Sequence, residues 1–145
     1  MMYHEKRRFI RHLLVNPLEF QVSEEKEFEK SETLDVSEGG LLFVSKNDVP
    51  AGTLIKLQMP LYDKIFKVKA KVMHTEKDTA TGLYRIGVTF VNYTDAFKVK
   101  LIEQIYLIEE YRVLRSLQME KEMTMQEASK EWIKRYSERF EKLYW

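Results

Sequence analysis

The feature that most constrains this chain is hydrophobic alternation with a period of two, which recurs from about residue 18 to residue 91. Apolar side chains at every second position predict β-strands with one buried and one wet face. Two further strands are predicted around residues 28–36 and 40–44. The four alternating segments carry Leu18, Phe20 and Val22; Ile55, Leu57, Met59 and Leu61; Phe66, Val68, Ala70 and Val72; and Tyr84, Ile86, Val88 and Phe90.

Short segments rich in glycine, proline, aspartate and asparagine separate these strands, at residues 37–40, 47–52 and 78–82. Residues of these types favour tight turns. Six short strands in a flat sheet would leave exposed edges, and closing the sheet into a barrel removes them. We therefore predict a mainly β fold, with a six-stranded antiparallel β-barrel over residues 13–93.

After residue 93 the apolar spacing becomes helical. A first helix is predicted from a cap at Thr94 or Asp95 to about residue 120, and a capping box of Thr124 and Glu127 predicts a second. One face of the first helix carries Phe97, Leu101, Ile105 and Ile108. The second carries a stripe of Trp132 or Ile133, Tyr136, Phe140 and Leu143 or Tyr144.

The helical region, residues 94–145, has more apolar surface than a small barrel can cover. Tyr106, Tyr111, Leu114 and Leu117 lie away from the predicted buried face of the first helix. Large exposed apolar patches are rare on monomers, so we expect a homo-oligomer that forms through these helices. The alternative is that the second helix folds back and covers the first within one chain.

Composition narrows the functional classes. The net charge of +1 and the absence of cysteine argue against a polynucleotide partner, a disulfide framework and a zinc-thiolate site. His4, His12 and His74 lack the spacing of a zinc site, so we interpret them as surface or strand residues and assign no metal. No acidic residue is distinguished as the partner of a nucleophile, so no enzyme activity is expected. No signal peptide or membrane span is evident, and we expect a cytoplasmic protein.

A basic arm precedes the first predicted strand, within residues 1–12: Lys6-Arg7-Arg8-Phe9-Ile10-Arg11. The planar fork of arginine can donate two hydrogen bonds to phosphate oxygens or to a guanine edge, and it can stack on a purine. The arm therefore suits a guanine nucleotide. By itself it is equally typical of a solvated basic terminus or a weak RNA-binding arm.

A second candidate motif lies between two predicted strands, at Asp35-Val36-Ser37-Glu38-Gly39-Gly40. The Asp35 carboxylate can accept hydrogen bonds from the N1 and N2 donors of a guanine, and Ser37 can donate or accept. Glycine lets the backbone approach a ligand closely. Taken alone, this segment also fits an ordinary Asx or Ser turn that closes a hairpin.

Together the two motifs resemble the PilZ family, which has an Arg-x-x-x-Arg arm and an (Asp or Asn)-x-Ser-x-x-Gly turn on a six-stranded barrel. Arg7 and Arg11 match the arm, and Asp35, Ser37 and Gly40 match the turn. The stretch 84–90 resembles the last strand of the family, so the likeness covers residues 5 to about 115.

The resemblance implies a bacterial receptor for cyclic di-GMP whose arm folds over the nucleotide and which uses no other cofactor. It further implies that Arg7 and Arg11 hold phosphate and guanine, that Asp35 and Ser37 read a guanine edge, and that Gly40 admits it closely. Lys6, Arg8 and Gly39 are candidates for additional contacts. Lys6 stands where some receptors have a third arginine, which leaves open whether one ligand or a stacked pair is bound.

Two alternatives to a nucleotide receptor remain. One is a PilZ-like adaptor that works through protein contacts, with nucleotide binding weak or lost. The other is a single-stranded nucleic-acid binder on an OB-like barrel, which would stack bases on exposed aromatic residues along a basic groove. The near-neutral charge argues against the latter. A cyclic di-GMP receptor and a PilZ-like adaptor would both need an effector protein, and the sequence does not identify it.

Overall fold

The computed structural model describes residues 13–61 and 64–135. They form six strands followed by two helices, as predicted. The strands are β1 (Pro17–Gln21), β2 (Glu29–Val36), β3 (Gly40–Ser45), β4 (Leu54–Leu61), β5 (Lys64–Lys77) and β6 (Tyr84–Val91). The helices are α1 (Asp95–Met119) and α2 (Met125–Arg135).

The strands close into an antiparallel barrel in the order β1-β2-β3-β6-β5-β4, with β4 paired back to β1. Each strand is thus paired on both sides, which explains why short strands can form a stable sheet here. The predicted inward residues line the core, and only Val22, Phe66 and Tyr84, near the strand ends, are partly buried. The period-two pattern therefore identified the inner face of the barrel correctly.

Helix α1 begins where the sequence predicted. The Thr94 hydroxyl accepts a hydrogen bond from the Phe97 amide at 3.1 Å, which satisfies one of the free amides of the first turn. Phe97 is buried and packs edge-on against Phe66 and Phe90, with ring centroids 5.9 and 5.1 Å away. The predicted inward face of α1 is buried at Phe97, Leu101, Ile105 and Ile108.

Helix α2 folds back onto α1. The chain leaves α1 through Glu120, which has a left-handed backbone (φ 51°), and re-enters a helix through the predicted capping box, in which the Glu127 amide donates to Thr124 Oγ1. The Tyr111 and Trp132 rings lie 5.9 Å apart. Fold-back within one chain, stated above as an alternative, is therefore observed. Of the predicted α2 stripe, Tyr136, Phe140, Leu143 and Tyr144 lie outside the described residues.

The fold-back does not cover all of α1. Its outward side keeps Tyr106 and Leu117 about 70% exposed (67% and 72%), and Val99, Val113 and Leu114 are exposed beside them. In the described part of the chain, neither helix combines the length and the apolar character needed to cross a membrane.

Candidate functional site

A β-bulge in β2 sets the direction of Asp35. Thr33 lies opposite Phe43, but Asp35 lies opposite Leu42, so Leu34 is an extra residue in the ladder. In a regular strand Thr33 and Asp35 would share a face. Thr33 is fully buried, whereas Asp35 is only half-buried, opposite a residue on the outer barrel surface. The bulge therefore turns the Asp35 carboxylate outward, where a ligand can reach it.

Ser37 builds the turn that follows Asp35. Its side chain is buried, and its hydroxyl donates to the Gly40 carbonyl at 3.3 Å and accepts from the Gly39 amide at 3.2 Å. The Ser37 amide donates to the same carbonyl at 2.9 Å. A serine hydroxyl can accept two hydrogen bonds, so one acceptor position is left after these contacts.

Gly40 lies where β3 packs closely against β6. A Cβ atom built on Gly40 would stand 2.1 Å from the Val88 carbonyl oxygen. The neighbouring Gly39 carbonyl accepts a hydrogen bond from the Phe90 amide at 3.0 Å. Barrel packing is thus sufficient to require glycine at position 40. Its predicted closeness to a ligand stays a prediction.

The segment that follows the basic arm is fastened to β2 beside this turn. Leu14, Val15 and Asn16 are buried. The Thr33 hydroxyl donates to the Leu14 carbonyl and accepts from the Asn16 amide at 2.8 Å. Lys6, Arg7, Arg8 and Arg11 themselves lie outside the described residues.

This anchor joins the segment that follows the arm to the strand that carries the motif. Thr33, which holds Leu14, is two residues before Asp35 in β2. Residues 14–16 are therefore fastened beside the part of β2 that leads into the motif turn.

The family model of the PilZ domain matches residues 5–107. The chain belongs to the PilZ family. A search of curated proteins found no match.

Solved structures of PilZ proteins share this fold at low sequence identity. YcgR of Escherichia coli in complex with c-di-GMP has a TM-score of 0.64 and 16% identity, over 79% of this chain and 51% of that one. The MrkH–c-di-GMP complex of K. pneumonia has a TM-score of 0.61 and 18% identity, over 78% and 56% of the two chains. This chain thus spans about half the length of these two relatives.

A third relative is a Xanthomonas campestris protein described as a tetrameric PilZ domain self-assembled via a helical bundle. It has a TM-score of 0.57 and 10% identity, over 73% of this chain and 89% of that one.

Strand pairing on the PilZ barrel places further residues in line with Asp35. Asp35 lies opposite Leu42, Leu42 opposite Gly87, and Gly87 opposite His74, so one row crosses β2, β3, β6 and β5. Directly opposed residues in antiparallel strands point to the same face, here the outer one. The sequence pattern did not predict this row, because the register shifts before Asp35 and before His74 change the face on which each residue lies.

Within the motif, Asp35, Glu38 and Gly39 are partly exposed, whereas Ser37 and Gly40 are buried. A groove opens at the far end of the β2–β3 hairpin, lined by Lys30, Ser31, Val44 and Lys46 among others. Neither Asp35 nor the anchored Leu14 lines this groove. In the described part of the chain no three metal-ligating side chains lie together, and His74 is an exposed β5 residue.

Proposed function

We propose that this chain is a cyclic di-GMP receptor that changes conformation on binding and signals through protein contacts. One observation carries the proposal: the bulge presents Asp35 on the outer barrel surface, and Thr33, two residues before it, holds the segment that follows the arginine arm. Membership of the PilZ family supports it, and so do the two relatives solved with c-di-GMP.

In this proposal the arm (residues 1–12) and the barrel (13–93) bind the nucleotide, and the helices (94–145) carry the output. Arg7 and Arg11 hold phosphate and guanine from above, with Lys6 and Arg8 as additional contacts. Asp35 accepts from a guanine edge, and Ser37 offers its remaining acceptor position. Backbone of Gly39 and Gly40 lies under the ligand. The arm supplies the second wall of the site.

Two contacts offer a route from the site to α1. Glu38, in the motif turn, approaches Lys98 of α1 at 4.0 Å. Asn16, just after the arm, accepts a hydrogen bond from Gln104 Nε2 of α1 at 2.8 Å, and both side chains are buried. An exposed ion pair contributes little, whereas a buried amide pair is costly to break. We therefore place the main coupling at Asn16 and Gln104.

The output is a protein contact in the cytoplasm, without a catalytic step. The exposed side of α1 suits this role because Val99, Tyr106, Val113 and Leu117 recur at intervals of seven, seven and four residues. This spacing puts them on one stripe, opposite the buried face. We propose that the stripe pairs with a second copy of the chain, and the helical-bundle tetramer of the X. campestris relative supports this arrangement.

Titration calorimetry with cyclic di-GMP tests the site. Charge-assisted hydrogen bonds contribute about 1.5 to 3 kcal/mol each, so Arg7→Ala and Arg11→Ala should each weaken binding roughly 10- to 150-fold. Asp35→Ala should reduce the preference for cyclic di-GMP over cyclic di-AMP. Lys46→Ala, in the groove at the far end of the hairpin, is the matched control and should bind like the wild type. Wild-type affinity in both arginine variants would contradict the site assignment.

A PilZ adaptor with weak or absent nucleotide binding is the second candidate. The observation in its favour is that Ser37 and Gly40 each have a role within the barrel, so the fold alone can account for both. A folded wild-type chain that binds neither dinucleotide would establish this candidate over the receptor. Binding to oligonucleotides in the same assay would favour the OB-like reading instead.

Light scattering tests the self-association. We expect the wild type to form an oligomer at micromolar concentration and Tyr106→Glu with Leu117→Glu to be monomeric, because charges on the stripe oppose its burial. Glu110→Gln, on the same side of α1, is the control. A monomeric wild type would exclude this proposal and leave the stripe for a different protein.

A further inference from the structure

An imidazole covers a glycine on the outer barrel surface. A Cβ atom built on Gly87 would lie 2.2 Å from His74 Cε1, 2.6 Å from Nε2 and 2.8 Å from Nδ1. The two nitrogens are only 0.4 and 0.6 Å farther than the carbon. If the Cε1 edge of the ring pointed at this Cβ position, both nitrogens would lie clearly farther from it. The ring therefore lies with its face over the glycine.

The other face of this ring is open. The His74 side chain is exposed, and no hydrogen bond to its imidazole is found among residues 13–61 and 64–135. A glycine inside a strand often marks a place where another group approaches the backbone closely. Here that group is an aromatic ring held flat on the sheet, and a flat ring with a free face is a stacking platform for a base.

The platform lies at the far end of the row that begins at Asp35. Three strand spacings separate β2 from β5, about 14 Å along the barrel surface. Leu42, half-buried, is the apolar side chain between them, and Gly87 adds no bulk. A ligand whose first base is read at Asp35 could thus lie along this row, with Leu42 and Gly87 beneath it.

A cationic side chain lies on each side of the platform, and one of the two is paired with a carboxylate. Lys71 is opposite Thr89 in one neighbouring row, and Arg85 is opposite Glu76 in the other. Arg85 approaches Glu76 at 3.4 Å through one terminal nitrogen, while its Nε is buried without a hydrogen-bond partner among the described residues. Cations on either side of a stacking ring suit a ligand that carries phosphates between two bases.

We propose that His74, supported by Gly87, is the stacking platform for the second guanine of cyclic di-GMP. The proposal rests on the proposed function and extends the site from β2 to β5. His74 is then a contact residue in its own right. If the ring served only to cover Gly87, its removal would change stability without affecting affinity.

Titration calorimetry on the full chain separates these roles. Stacking on an aromatic side chain contributes an amount that corresponds to roughly 5- to 150-fold in affinity, so His74→Ala should weaken cyclic di-GMP binding by a factor in this range. His74→Phe keeps an aromatic face without the nitrogens and should retain affinity to within about threefold. Met73→Ala, at the exposed neighbouring position, is the matched control and should bind like the wild type.

Gly87→Ala gives an independent test, because its methyl group must push the movable His74 ring off the sheet rather than displace backbone. It should lower affinity while the thermal unfolding temperature stays close to that of the wild type. In proton NMR spectra, the Cε1 proton of His74, assigned through the His74→Ala variant, should shift upfield on binding because of the ring current of the stacked guanine.

The outcomes are distinguishable from those of the proposed function. Wild-type protein that does not bind cyclic di-GMP would refute both proposals. Binding by the wild type with unchanged affinity in His74→Ala would overturn the platform alone and leave the receptor intact. Equal losses in His74→Phe and His74→Ala would also overturn stacking, since they would show that a ring nitrogen makes the contact.

Discussion

The barrel and the α1–α2 pair are stabilised in different ways. Inside the barrel, apolar side chains from all six strands meet. The twelve largest fully buried side chains in the described part of the chain are all apolar, and they lie in the barrel core and α1. Between the helices, Met123 and Ala128 are also buried, but polar contacts add to the apolar ones: Glu131 accepts hydrogen bonds from the Tyr111 hydroxyl at 2.5 Å and from Arg115 Nε at 2.7 Å. These charged groups are about one-third exposed.

The difference indicates which part is rigid and which part can change. A closed barrel loses many contacts at once when one strand moves, because its core is packed without free space. The α1–α2 junction has fewer buried apolar side chains than the barrel and relies in part on partly exposed polar groups, so it can separate at lower cost. A binding surface on the barrel and an output on the helices agree with this division. Three substitutions test it, from the barrel through the joint to the helix pair.

Gly40→Ala should have the largest effect, because the added methyl group meets backbone at the β3–β6 contact rather than a movable side chain. Overpacking of this kind costs about 3 kcal/mol or more, a large part of the stability of a small domain. Urea denaturation should show a midpoint far below that of the wild type, or no folded protein.

Gly52→Ala is the control for this substitution. Gly52 has a φ of 92° and open space around its built Cβ atom, so only backbone strain of about 1–2 kcal/mol is expected. Equal losses in the two variants would show that the β3–β6 contact does not require glycine, and the comparison of barrel and helices would lose its main support.

Gln104→Ala should have an intermediate effect, since it acts on the joint between the regions. It leaves the buried Asn16 Oδ1 without its partner from α1, which costs about 1–3 kcal/mol. If Asn16 and Gln104 couple the arm to α1, amide exchange in α1 should also respond less to cyclic di-GMP in this variant. A ligand response equal to that of the wild type would remove this pair from the proposed route.

Glu131→Ala should have the smallest effect on global stability, at most about 1 kcal/mol, because its partners are partly exposed. Hydrogen exchange in α2 should accelerate, while exchange in the barrel strands should stay unchanged. Glu127→Ala, at the α2 cap, is a useful comparison because the Glu127 side chain hydrogen-bonds to Thr124 within the cap. Faster exchange in the barrel would contradict the independence of the two regions.

Arg112, in a second ion pair near this junction, stays charged across the neutral pH range. Hydrogen bonds from Arg112 to Glu109 raise the pKa of the Arg112 guanidinium. A cation whose pKa is raised on folding stabilises the folded state as long as the pH is below its unfolded-state pKa. For arginine this stabilisation is lost only when the pH rises through the pKa of the guanidinium. Arg112 therefore holds the Met123 carbonyl, at 3.2 Å, as a permanently charged donor.

The sequence by itself predicted the barrel strands, both helices and most of the core. Period-two alternation can be recognised from the residue types in a short stretch of sequence. The helix caps at Thr94 and Thr124 can be recognised in the same way. The family motifs of the arm and turn were likewise visible in the sequence. The roles of these residues could not be predicted from the sequence alone, since Ser37 and Gly40 also have contacts that stabilise the barrel.

Strict alternation would have placed Asp35 on the same face as buried Thr33, and only the bulge at Leu34 separates them. The row from Asp35 to His74 depends on the register of three strand pairs, and the middle pair, β3 with β6, joins segments that lie far apart in sequence. The Asn16–Gln104 hydrogen bond joins residues 88 positions apart. Local sequence determined which segments form strands and helices, because that choice depends on short-range periodicity. Tertiary structure alone decided which side chains meet, because register and closure arise only when the whole barrel packs.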